Sequence, residues 1–246
     1  MPVSAETFFA EALKAVEFVR TTQMENIRRA AGILADRLLR GGVVHVFGTG
    51  HSRAFAMEMA GRAGGLAPVH AMALEDLALR GVRPAGDLED PTLERDPEVG
   101  RQVLRLYDIR PEDAFVVVSN SGRNGSTVEL ALTAKRHGHP VVAVTSMQHT
   151  TRVTSRHPSG KRLFEVADVV IDNGAPFGDA LLDAGDGLRV CSVSSITGAF
   201  VAQGITAEIV RRYREAGKVP PVFISANVDG ADEHNEQLRQ AYAGRI

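Results

Sequence analysis

The sequence predicts an α/β fold: a mainly parallel sheet with helices packed on both faces. Two observations carry that prediction. Short apolar runs alternate with stretches of helical periodicity, and several runs pass straight through a Gly- and Ser-rich turn into the next helix. The composition agrees, with 246 residues, 44% hydrophobic and 24% charged, which is globular and long enough for a sizeable core.

In chain order, residues 4–40 have helical spacing. Phe9, Leu13 and Val16 fall on one stripe, and Ile27, Ala31, Leu34 and Leu38 on a later one. Ser4 suits an N-cap and Gly41-Gly42 ends the segment, with one helix or two broken near Thr21-Thr22 both compatible. Val43 to Phe47 reads as a buried strand, followed by Gly48-Thr49-Gly50-His51-Ser52 and a helix over 52–63. Residues 67–72 suggest a second strand. Residues 73–98 are irregular and carry the acids Asp87, Glu89, Asp90, Glu94, Asp96 and Glu98, a pattern typical of a solvated loop. A helix over 98–107 precedes a strand over 114–118, the loop Ser119-Asn120-Ser121-Gly122-Arg123-Asn124-Gly125 and a helix over 127–137. Ser126-Thr127-Val128-Glu129 predicts a capping box there. Strands over 140–145 and 167–171, a long buried helix over 190–215 and an amphipathic helix over 232–242 complete the reading. Cys191 is expected in the core of the long helix.

Formal charge is −2, with no basic run, which gives no reason to expect nucleic acid as a partner. No apolar stretch is long enough to span a membrane, and the start lacks a basic region followed by an apolar one, so cytoplasm is the expected location. A single cysteine excludes a disulfide framework. His137 and His139 lie two apart in a turn, a poor arrangement for a metal, and neither a metal nor a cofactor is expected. Gly48-Thr49-Gly50-His51-Ser52-Arg53 has Arg53 where a dinucleotide fingerprint needs its third glycine. No Gly-Lys-Ser/Thr triplet exists, and Ser119-Asn120-Ser121-Gly122 lacks the first glycine of a nucleophile elbow. What remains is two strand-to-helix loops at the carboxyl edge of one sheet, where hydroxyls, glycine-backed amides and helix N-termini favour an anion such as a phosphate group. Simple helix capping is the alternative for Ser52 and Ser126, and it is the pair of loops together that favours the anion.

Val43 to Arg53 and Val116 to Thr127 resemble the two signature loops of the SIS (sugar isomerase) domain family, and the likeness extends over about residues 10–214. The resemblance implies a three-layer, flavodoxin-like fold with a five-stranded parallel sheet, a single stand-alone domain over 1–246, a phosphosugar ligand, and homodimers or homotetramers sharing their active sites. It places Ser52, Ser119, Ser121 and Ser126 on phosphate-binding positions, with Gly50, His51, Asn120 and Gly122 shaping the pocket.

Removing a proton beside a sugar carbonyl calls for a carboxylate, for which Glu94, Glu58 and Glu75 are candidates. Glu94-Arg95-Asp96, with Gly100, Asp113 and Ser121-Gly122-Arg123 downstream, is similar in spacing to the N-acetylmuramic acid 6-phosphate etherases. That likeness makes Glu94 the base. The etherases' second acid falls near Gly61 or Arg62, leaving Glu58 as substitute. Family isomerases often carry a glutamate at the start of the long helix, and none follows Asp186 here. In several relatives a histidine from a neighbouring subunit opens the ring; His234 suits that role, with Asn235 or Asn227 as sugar ligands. The expected function is a lyase or dehydratase on an N-acetylhexosamine 6-phosphate. An aldose–ketose isomerase and a non-catalytic phosphosugar sensor are the alternatives.

Overall fold

A computed structural model of the chain describes residues 2–246. Five parallel strands, β1 (Val44–Gly48), β2 (Val69–Met72), β3 (Ala114–Val118), β4 (Val141–Thr145) and β5 (Val169–Asp172), form one sheet in the order β2-β1-β3-β4-β5. Every residue of β1, β3 and β4 is buried, because helices cover both faces, and this is why those strands read as unbroken apolar runs.

Alternate strand residues feed two cores. On one face Val44, Val46, Val116 and Val142 pack with Leu34 of α2 (Met24–Leu39), Phe55 of α3 (Arg53–Met59) and Ile205 of α8 (Ser194–Glu215). On the other, Phe47, Phe115, Val117 and Ala143 meet Val103 of α5 (Pro97–Arg105) and Leu130 of α6 (Gly125–Arg136). The strand order reverses between β1 and β3, so the loops leaving those two strands diverge to opposite faces and open a crevice between them.

The structure corrects several expectations. The N-terminal segment is two helices, α1 (Ala5–Thr22) and α2, parted at Gln23, whose amide oxygen accepts from the Asp172 backbone N–H at 3.1 Å. The long helix starts at Ser194, because Leu188–Ser192 pairs with Ala180–Gly185 as an antiparallel hairpin, β6–β7. Cys191 is therefore exposed on a strand, with φ +65°, and not a core residue. The capping box is absent: Asn124 is the N-cap of α6, and Glu129 instead holds Arg136 (2.8 Å), Arg101 (3.0 Å) and His157 (2.7 Å). Residues 73–98 are not a free surface loop, since α4 (Glu75–Leu79) and a 3-10 turn at Leu93–Arg95 bury Leu77 and Leu93.

Candidate functional site

The loop after β1 turns through a 3-10 segment, Gly50–Ser52, into α3. Thr49 is buried beneath it and its hydroxyl donates to Oε2 of Glu94. Gly50 (φ +53°) and His51 are exposed and Ser52 is half-buried. The Ser52 side chain makes no capping bond to α3, which leaves its hydroxyl available. Arg53 pairs with Glu75 of α4 across the mouth of the loop.

The loop after β3 is held more tightly. Ser119 Oγ accepts from the Gly122 N–H at 3.1 Å, and the Asn120 carbonyl accepts from the Ser146 N–H and the Thr145 hydroxyl, both at 3.2 Å. Asn173 Nδ2 donates to Asn120 Oδ1 at 2.9 Å. Gly122 sits at φ +59°, where a Cβ would also come within 2.9 Å of Thr150 Oγ1, so this corner of the loop requires glycine. Ser121 at the tip is half-buried.

Glu94 joins the two loops. Its Oε1 accepts from Asn124 Nδ2 at 2.6 Å while its Oε2 accepts from Thr49, and its backbone carbonyl accepts from the buried Ser126 hydroxyl at 2.7 Å. The chain can approach α6 this closely only because residue 125 is glycine; a Cβ there would lie 2.1 Å from the Arg95 carbonyl oxygen. Arg156 completes the chain of contacts, donating from Nη1 to Asn124 Oδ1 at 2.8 Å. Burial, then the neighbouring Arg123 and Arg95 charges, lower the Arg156 pKa.

A cavity of about 360 Å³ opens here, lined by Thr49, Gly50, Arg53, Glu75, Asp90 and Glu94 among others. A cleft of about 20 Å³ adjoins the same loop, between His51, Ser52, Asn120, Asn173, Ser194 and Ser195. A cavity of about 400 Å³ lies far from it, between α5 and α6 near the start of β3. Its Arg101 and Arg136 are neutralised by Glu98 and Glu129, and it holds none of the loop residues.

Residues 7–146 match the SIS domain. The chain belongs to the SIS domain family. Full-length relatives include UPF0309 proteins of Caldanaerobacter subterraneus subsp. tengcongensis, 38% identical over 98% of both chains, and of Thermoanaerobacter pseudethanolicus, 40% identical over 97% of both. Among solved structures, the fold is shared with phosphoheptose isomerases from Neisseria gonorrhoeae (TM-score 0.54, 19% identity, 84% of this chain and 96% of that one) and Francisella tularensis (TM-score 0.56, 17% identity, 84% and 96%). The five-stranded parallel sheet between helices is the one that the resemblance implied.

Within this SIS domain, the structure brings together Gly50, His51, Ser52, Asn120 and Glu94 around the two adjoining openings. Ser126 is fully buried, its hydroxyl engaged by the Glu94 carbonyl, so it holds the site from behind and lines neither opening. Glu58 is directed elsewhere: it pairs with Arg62 and accepts from Gln203 Nε2 of α8 at 2.7 Å. His234 and Asn235 lie on α9 (Ala231–Ala241), away from both loops within one chain. His234 Nε2 meets the Val222 carbonyl at 2.9 Å. Asn235 is 3% exposed and clamps both backbone groups of Ile224, accepting at 2.9 Å and donating at 2.7 Å, so within one chain its amide is buried against its own loop. Sequence reasoning missed the roles of Thr49, Asn124 and Arg156. Asn124 stands in the Asn-Gly-Ser-Thr segment that carried the family likeness, whereas nothing in the sequence marks Arg156 as a neighbour of Glu94. Among the described residues no helix is long and apolar enough to cross a membrane, and no group of His, Cys, Asp or Glu is placed to hold a metal.

Proposed function

We propose that this chain is an aldose–ketose isomerase acting on a sugar phosphate, with Glu94 as its base. The ligand class comes from the phosphoheptose isomerases that share the fold; the chemistry comes from the site. One observation carries the reading: the Glu94 carboxylate is fixed by Thr49 and Asn124, one from each loop, in the wall of the cavity. We assign the phosphate to the hydroxyls of Ser52 and Ser121, with Asn120, Ser119 and Gly122 shaping the second loop, where Ser119 Oγ and the Gly122 N–H are bonded to each other. His51, exposed beside Ser52 at the small cleft, is the candidate to assist ring opening within one chain. Glu94 takes the C2 proton of the open-chain sugar; the C–H electron pair becomes the C1=C2 bond and the carbonyl pair moves onto O1. The O2 hydroxyl proton passes to O1 as the C2=O bond forms, and returning the C2 proton to C1 gives the ketose.

Isomerisation needs one shuttling carboxylate, whereas elimination at C3 also needs an acid for the leaving oxygen. That second acid is poorly supplied. Glu58 faces α8, and Glu75 is paired with Arg53. Asp90 has its pKa lowered by hydrogen bonds from the Thr92 amide and hydroxyl, the wrong direction for a proton donor near neutrality. The lyase expectation is for that reason set below its isomerase alternative. Self-association is part of the proposal, because Phe9 and Leu13 of α1 and Phe200 of α8 are exposed apolar side chains.

The test is proton NMR in deuterium oxide with hexose and heptose phosphates, paired with calorimetry. The expected result is deuterium entry at C2 with aldose–ketose interconversion, abolished in Glu94→Gln while binding persists. Growth of a conjugated-enal absorbance would return the lyase. Binding without any exchange in the wild type would make the chain a sensor.

A further inference from the structure

Away from the two loops, a cavity of about 500 Å³ opens along the outer edge of β2. Val69, Ala71, Phe223, Ala243 and Ile246 make most of its wall, and its polar side chains are His70 and Arg239. That size, with an apolar lining and very few polar groups, is that of a site for a small molecule. Arg239 pairs with Glu236 at 3.4 Å, so its guanidinium is already met by a carboxylate. His70 is the polar group that remains, and what it offers a ligand is set by the residues beneath it.

Asp113 is fully buried, and its one charge is met by Arg245 Nη2 at 2.7 and 2.9 Å. Its Oδ2 also lies 3.1 Å from His45 Nε2. A carboxylate only accepts, so that ring nitrogen carries a proton. A second proton on the fully buried His45 would create a cation with no anion left to pair it. His45 Nδ1 is therefore bare. It faces His70 Nδ1 at 3.3 Å, so His70 donates from Nδ1. Burial lowers the His70 pKa to about 4, and near neutrality that is the ring's one proton. Its Nε2 is thus an acceptor. β2 is the edge strand and Nδ1 faces back toward β1, which leaves Nε2 on the outward side.

We propose that this cavity binds a neutral, largely apolar molecule carrying one N–H or O–H donor, which His70 Nε2 accepts. A ligand that covers Nε2 without a donor leaves a desolvated acceptor unpaired, and a carboxylate there sets lone pair against lone pair. The cavity shares no residue with the openings beside Glu94, so the inference is independent of the isomerase reading.

The probes are indole and 1-methylindole, which differ by one N–H, with benzoate as an anion of similar size. Calorimetry on wild type and His70→Phe is paired with imidazole nitrogen NMR on wild type. The free protein should show His70 protonated at Nδ1 and bare at Nε2, and the Nε2 signal should move with indole and stay in place with 1-methylindole. Wild type should bind indole at least about fivefold more tightly than 1-methylindole, and benzoate more weakly than indole. In His70→Phe the two indoles should bind within about twofold of each other. Thermal unfolding checks the variant, and the NMR measurement decides if it does not fold. Equal wild-type affinity for the two indoles overturns the inference, as does a His70 proton found on Nε2 in the free protein. No binding of indole near its solubility limit overturns it as well. Tighter binding of benzoate than of indole does so too, because Arg239 would then be the recognising group. None of these outcomes bears on the isomerase reading, since Glu94 and the two loops take no part in them.

Discussion

Gly125→Ala is the smallest change that should disable the site without touching a reacting group. The added Cβ would lie 2.1 Å from the Arg95 carbonyl oxygen and 2.9 Å from Pro97 Cδ, where ordinary contact begins at 3.4 Å. The 3-10 turn at Leu93–Arg95 must then retreat by more than 1 Å, roughly the scale at which a misplaced group costs about 100-fold in rate. Glu94 rides on that turn, and its bonds to Thr49, Asn124 and Ser126 stretch with it. Overpacking of this kind costs about 1–3 kcal/mol, so the variant should fold. C2 exchange followed by NMR should fall by about two orders of magnitude, with sugar-phosphate affinity nearly unchanged because Ser52 and Ser121 are not displaced. The control is Gly204→Ala in α8, where the new Cβ would meet Ile27 at 3.6 Å. It should keep full exchange and, from helix propensity, gain up to about 1 kcal/mol. Exchange within twofold of wild type in a folded Gly125→Ala protein would mean that the position of Glu94 is irrelevant, and the assignment of the base would fail.

Ser126→Ala should lower stability by about 1 kcal/mol and slow exchange, yet leave phosphate affinity intact, since its hydroxyl serves Glu94; Ser121→Ala should weaken affinity, and calorimetry on the two separates a supporting serine from a ligand-binding one. Asp113 is fully buried and accepts from Val43 N–H and Arg110 N–H (both 2.8 Å), His45 Nε2 (3.1 Å) and Arg245 (2.7 Å). Asp113→Ala orphans all of them and should cost about 3–5 kcal/mol, or roughly 6–20 °C in Tm, read from urea and thermal unfolding. Burial alone would raise the Asp113 pKa, but the His45 hydrogen bond and the two backbone N–H donors outweigh it and bring it to about 2, against an ordinary 3.8. A depressed carboxyl stabilises the fold above its unfolded pKa, so about 2 kcal/mol should be lost as pH falls from about 4 to 2, and Asp113→Asn should flatten that limb.

The sheet was legible because its strands are covered on both faces: Val44–Gly48, Ala114–Val118 and Val141–Thr145 have no alternation to confuse them with half-exposed strands. The β6–β7 hairpin escaped the reading for the opposite reason. Leu188, Arg189, Val190 and Cys191 are exposed, so no apolar periodicity marks them, although Asp186-Gly187 at its tip (φ +52° and +75°) is a turn signal that could have been used. In the site, Ser52 and Asn120 could be named because loop chemistry is local. What the sequence could not convey is competition between partners. Ser126 and Glu129 make a convincing capping box in isolation, but Glu94 takes the first and Arg136, Arg101 and His157 take the second.

That competition also explains why Glu94 is better supported as a base than the other carboxylates that line the cavity. Glu75 is in contact with a guanidinium, and Asp90 accepts from both the amide and the hydroxyl of Thr92. Glu94 alone of the three is held by neutral side chains from both loops, Thr49 and Asn124, which fix its direction without cancelling its charge. Arg156 is kept one residue away, with Asn124 bonded to Glu94 on one side and to Arg156 on the other. Were Arg156 to contact Glu94 directly, the carboxylate would be neutralised and the guanidinium occupied. With Asn124 between them, the carboxylate is held in direction by a neutral amide and keeps its charge for the C2 proton.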